Sequence, residues 1–168
     1  NTKSYLYSEN GFYYEMPLSW YSEKAKWDMS PGYKKTNLRF SRSIVQECMN
    51  CHNSYSGYVE FSENKFDMNL KEGIGCERCH GPGELHVRRQ TEETNIFKDV
   101  EKDTIDRTIV NPANLPLEEK LAVCFQCHLQ GEVRVFAEGK KQSDFRPGMK
   151  LEEVKSVFIP DNVQKGDF

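Results

Sequence analysis

The chain has 168 residues, 37% of them apolar and 29% charged, with a net charge of −3. That balance carries neither the basic signature of nucleic-acid binding nor a polybasic patch for a membrane surface, and no run approaches the about 18 apolar residues of a membrane-spanning helix. The length suits one domain or a piece of a larger one, and the apolar fraction is thin enough that a non-protein apolar group would help to fill the core.

In chain order, residues Thr2 to Tyr14 read as a β-hairpin. Tyr5 and Tyr7 alternate with polar residues, "SENG" makes the turn, and Phe12 and Tyr14 alternate again. Asn10-Gly11 suits a tight turn that needs positive φ. Pro31-Gly32 marks a loop. Phe40 to Cys51 reads as a short helix, and Asn53 to Gly75 as polar, Gly-punctuated and irregular. A second short helix is expected from Glu84 to about Glu93. "NPANLPLEEKLAVCFQCH" carries the clearest helical pattern. Pro116 fits an early helical position and Glu118 and Glu119 suit the first turn, while Leu117, Leu121, Cys124, Phe125 and His128 share one face. "RPGMKLEEVKSVFIP" reads as a turn and a short helix ended by Pro160. The expected fold class is mainly α, with much irregular structure and a small N-terminal β-hairpin.

All 6 cysteines fall in three copies of one pattern: "CMNCH" at Cys48, Cys51 and His52, "CERCH" at Cys76, Cys79 and His80, and "CFQCH" at Cys124, Cys127 and His128. Three of the 4 histidines thus follow directly on a second cysteine. Chance placement would do this roughly once in 10⁵, so the unit to explain is Cys-x-x-Cys-His. It is the attachment signature of c-type haem. Two thiols one helical turn apart reach the two vinyl groups on one porphyrin edge, and the adjacent imidazole binds the iron axially. Three covalent haems follow, with iron held by His52, His80 and His128. Disulfides would use the thiols but not the histidines. A four-thiolate zinc site would leave one pair without a mate, and a thioredoxin-like site wants a single pair. Three porphyrins also answer the thin core, giving a multihaem cytochrome c fold organised around its cofactors.

His86 reads either as a half-exposed helix histidine or as a distal axial ligand, and so close to His80 it would serve a different haem. One spare histidine cannot fill three distal positions. Of Met16, Met29, Met49, Met68 and Met149, most read as packing, and Met149, after Pro147-Gly148, is the candidate ligand.

"GIGCERCHGPGELHV" resembles the tetrahaem cytochrome c-554 family, whose members carry Cys-x-x-Cys-His-Gly-Pro-Gly followed by a ligating histidine. "CMNCHNS" resembles the family's second site, "CERCHGPG" its third and "CFQCH" its fourth. The chain is also similar, over nearly all its length, to the cytochrome part of bacterial multihaem proteins that continue into tetratricopeptide repeats. There "FYYEMPLSWY", "WDMSPGY", "ECMNCHNS" and "FRPGMKL" occur in this order. The family's first haem site has no counterpart in these residues. The resemblance implies that His86 ligates that first haem, that the distal ligand of the third haem comes from the same segment, and that the haem matching His52 is five-coordinate. Residues 1–168 are thus expected to be one multihaem cytochrome domain within a longer chain.

No residue group reads as a dedicated catalytic acid or base, so an electron carrier is expected rather than an enzyme. Its partners would be redox proteins, other haem subunits or the upstream haem segment of the same chain. The alternative is a haem enzyme, or a site for a gas or nitrogen oxide, at an iron with an open position. The chain opens "NTKSYLYSEN", without an export leader. Haem attachment of this type occurs outside the cytoplasm, so an exported protein is expected, periplasmic or at the cell surface.

Overall fold

The computed structural model describes residues 2–36, 38–54, 57–67, 70, 72–91 and 105–159. They fall into two units, Asn1–Gly73 and Ile74–Phe168.

The first unit is built on a hairpin of β1 (Thr2–Glu9) and β2 (Phe12–Tyr21). Asn10 and Gly11 turn the chain with φ of 53° and 83°, the mirror-image turn whose twist matches the strands it joins. The hairpin is longer than expected because β2 has two further partners, β3 (Lys26–Met29) and β4 (Arg42–Ser43), which make a four-stranded sheet. Cross-strand aromatic pairs line it, among them Tyr7 with Tyr14 and Trp20 with Trp27. Tyr13 turns inward and packs with Ile44, Met49 and Phe66 into a small core. Glu15, also turned inward, is paired with Arg42, so the buried carboxylate keeps a partner.

α1 (Gln46–His52) starts later than the helix expected from Phe40. Arg42 and Ser43 are drawn into the ladder opposite Glu15 and Tyr14, and the Ile44 amide donates to the Tyr13 carbonyl. Long-range pairing has overridden the local pattern. Residues 53–67 are irregular where described, with only isolated bridges such as Tyr58 to Phe66.

In the second unit, α2 (Glu77–His80), α3 (Glu84–Thr91) and α4 (Leu117–His128) carry the motif region. α3 begins where expected. Its projected end at Glu93 lies outside the described residues. α4 packs Ala122 with Phe145 and Val154, flanked by Met149 and Leu151. The short helix expected after "RPGMK" is a single 3-10 turn, Leu151–Glu153, and the chain then runs as β6 (Lys155–Phe158). It pairs antiparallel with β5 (Val133–Phe136), a strand without a sequence-based expectation. Val133, Val135, Phe136, Val157 and Phe158 suit a pleated ladder better than a helix. Pro160 lies outside the described residues.

The described residues thus hold four α-helices and six strands. The helices and the N-terminal sheet agree with the expected class, but strands take about as many residues as helices. "Mainly α" is therefore corrected, because tertiary pairing extends the hairpin and creates β5 and β6.

Candidate functional site

Each motif is mounted on a helical turn. Cys48, Cys51 and His52 stand at i, i+3 and i+4 of α1, which puts all three on one face. Met49 and Asn50, between the cysteines, turn the other way and are buried. Met49 lies in the first unit's core, so this methionine anchors the motif helix to the sheet.

At the second motif Cys76 is helical and caps α2, and the His80 amide donates to its carbonyl at 2.9 Å. Gly81 ends the turn at φ 77°, a conformation that costs a non-glycine residue about 1 kcal/mol or more. The Glu77 carboxylate reaches forward to accept the Gly83 amide at 2.8 Å and so shapes the Gly-Pro-Gly link into α3. His80 exchanges two hydrogen bonds with Val110. Its carbonyl accepts the Val110 amide at 3.0 Å, and its ring Nδ1 donates to the Val110 carbonyl at 2.8 Å. A ring whose Nδ1 carries the donated proton presents a bare Nε2, the form that binds a metal.

His86, on α3, is held in the same sense by a different group. Its Nδ1 lies 3.0 Å from a carboxylate oxygen of Asp106. Asp106 also accepts from Arg89 at 3.0 Å, from Gln90 at 3.2 Å, and from the amide and hydroxyl of Thr108. These bonds hold the carboxyl well below the usual carboxylate range, the Thr108 hydroxyl contributing most, then its amide, against a raising effect of burial, with His86 and Gln90 adding to the lowering. Asp106 therefore stays an anionic acceptor. Neither Asp106 nor Val110 was singled out from the sequence, because their partners stand 20 and 30 residues away. The only local signal is the Asp-x-Thr pattern of a side chain that closes its own turn.

On α4 the stripe Leu117, Leu121, Cys124, Phe125 and His128 is exposed, and the buried face is Ala122, Val123 and Gln126. The helix thus turns its apolar motif face away from the protein core. Gln126, 1% exposed, donates to the Arg78 carbonyl at 3.0 Å and the Val123 carbonyl at 2.9 Å. The residue inside the third motif therefore ties α4 to the residue inside the second. The Gln126 carbonyl in turn accepts the buried Lys155 ammonium at 2.8 Å, a cation near a helix C-terminus where the dipole favours it.

Met149 packs beside Ala122, Phe145 and Val154, and its sulfur accepts the Arg146 amide at 3.3 Å. Met68 lies outside the described residues.

The donor set fits covalent haem. None of the six cysteines is in a disulfide, and the three histidines stand one residue beyond the second thiol on the same helical face. Exposed apolar side chains, Leu117, Leu121 and Phe125, offer a surface for a porphyrin on α4. Among the described residues no three His, Cys, Asp or Glu side chains gather as a zinc site would need.

Residues 17–81 match the family model described as cytochrome c554 and c-prime, a stretch that contains the first two motifs whole. Over these residues, under half of the chain, it is similar to that family of c-type cytochromes. Cytochromes of the c type hold haem iron covalently and work by electron transfer. The match ends at Gly81, so the third motif, His86 and Asp106 lie beyond it. No curated protein matches the chain. Among solved structures, the outer cell wall cytochrome OcwA is similar at 19% identity and a TM-score of 0.49, over 94% of this chain and 31% of that one. The chain therefore spans about a third of OcwA's length. Among the described residues no helix is long and apolar enough to cross a membrane.

Proposed function

We propose that this cytochrome carries three covalent haems and passes electrons among them and on to redox proteins, other haem subunits or an upstream haem-bearing segment of the same protein. The observation that carries the reading is the repeated face of two thiols and an imidazole, three times on a helical turn and with no cysteine in a disulfide. Cys48 with Cys51, Cys76 with Cys79, and Cys124 with Cys127 form the thioethers. His52, His80 and His128 supply the proximal nitrogens. The haem brings a one-electron iron couple, and the chain binds it, orients the ligand imidazoles and shields the porphyrin edge. Attachment of this kind happens outside the cytoplasm, so the mature protein works in the periplasm or at the cell surface.

Acid–organic extraction of the purified protein should leave all haem on the polypeptide, with a mass increase near three haems per chain. Extractable haem, or stoichiometric zinc in its place, overturns the reading.

A second reading, a ligand-binding or catalytic iron, has one observation in its favour. His52 is the first unit's sole histidine, and Met49 is taken up by the core. An iron at His52 that lacks a strong distal donor should be partly high-spin when oxidised and should bind carbon monoxide when reduced. Electron paramagnetic resonance and carbon monoxide difference spectra check this. A purely low-spin spectrum without carbon monoxide binding leaves electron transfer standing alone.

A further inference from the structure

We infer that residues 106–110 form one clamp that orients two iron-ligand imidazoles, with Asp106 as the positioning residue that makes the iron held by His86 harder to reduce than one whose ligand faces a neutral acceptor. The inference rests on the haem reading above and on His86 serving as a distal iron ligand, as the resemblance implies.

Five residues hold both rings. Asp106 Oδ2 takes the His86 Nδ1 proton at 3.0 Å, and four residues on, the Val110 carbonyl takes the His80 Nδ1 proton at 2.8 Å. The segment is itself secured at both ends. Thr108 returns its amide and hydroxyl to Asp106, and the Val110 amide is bonded to the His80 carbonyl. Each ring is thereby fixed in the tautomer that leaves Nε2 for iron. One clamp thus sets the angle of the second motif's proximal ligand together with that of the spare histidine.

The two acceptors differ in charge. A carbonyl dipole polarises His80 weakly, whereas a carboxylate pulls the His86 proton and makes its Nε2 a stronger donor. A stronger, more anionic ligand stabilises ferric over ferrous iron, so the potential at the His86 iron falls. The Arg89 guanidinium sits on the other oxygen of Asp106 at 3.0 Å and offsets part of that charge. It does not touch the imidazole bond, which Oδ2 makes. Asp106 is thus shared by a cation that stiffens it and a ligand that it tunes.

The test uses the full-length, haem-loaded protein. Asp106→Asn keeps an oxygen acceptor for Nδ1 and removes the charge, so in a spectroelectrochemical titration one midpoint potential should rise while the others hold. Asp106→Ala removes the acceptor as well, so added imidazole should displace His86 about 10–100-fold more readily. Gln90→Ala deletes a donor to the same carboxylate without touching the ring, and should leave the potentials in place. If Asp106→Asn moves no potential, or Gln90→Ala moves the same one equally, the inference fails and the haem reading stands. A wild-type protein without covalent haem instead defeats the reading on which the inference rests.

Discussion

Replacing Cys124 and Cys127 together with alanine is expected to remove one haem and to lower the stability of the second unit severely. α4 turns only Ala122, Val123 and Gln126 inward, while Leu117, Leu121 and Phe125 accompany Cys124 on the exposed side. In the three-haem reading the apolar surface on that side packs on porphyrin rather than on protein. Losing the haem returns it to water, and the effect exceeds that of truncating one large core side chain. Since Phe→Ala or Trp→Ala in a core costs about 3–5 kcal/mol, the loss here should be at least of that order. In a domain of this size that corresponds to a fall in melting temperature of about 10 °C or more. Haem counting with a thermal melt followed by circular dichroism checks both parts. A variant with one haem fewer and an unchanged melting temperature contradicts the view that the cofactor replaces core.

Phe66→Ala is expected to cost about 3–5 kcal/mol in the first unit. The ring is 1% exposed and stands edge-on to Tyr13 at 5.8 Å and to Tyr58 at 5.6 Å. It shares its core with Met49, which lies between the two cysteines of the first motif. Removing the ring therefore loosens α1 as well as the sheet, and the environment of the Cys48–His52 haem should change with it. Denaturant unfolding followed in the absorption of that haem should shift to a lower midpoint. Phe66→Leu keeps most of the volume and should lose less. Equal midpoints for Phe66→Ala and the wild type would show that α1 is held by the haem alone.

Local chemistry was legible wherever the partners are near neighbours. The Asn10-Gly11 turn, the start of α3 and most of α4 follow from residues within a few positions of one another, and all three are present. The reading failed where distant residues compete for the backbone. Arg42 and Ser43 look helical in isolation and pair with β2 instead. The segment after Met149 has a helical start, but β5 draws Lys155–Phe158 into a ladder. The apolar stripe on α4 was read correctly as one face, yet only the fold shows that this face points away from the protein core.

The sequence by itself determined the thrice-repeated Cys-x-x-Cys-His pattern, which sets two thiols and an imidazole at i, i+3 and i+4 of one helical turn. Only the tertiary structure decided how the imidazoles are aimed. His86 and His80 take their Nδ1 partners from Asp106 and Val110, 20 and 30 residues further on, and Gln126 finds the Arg78 carbonyl 48 residues back. A hydrogen bond reads distance in space, and that distance exists only once the chain has folded.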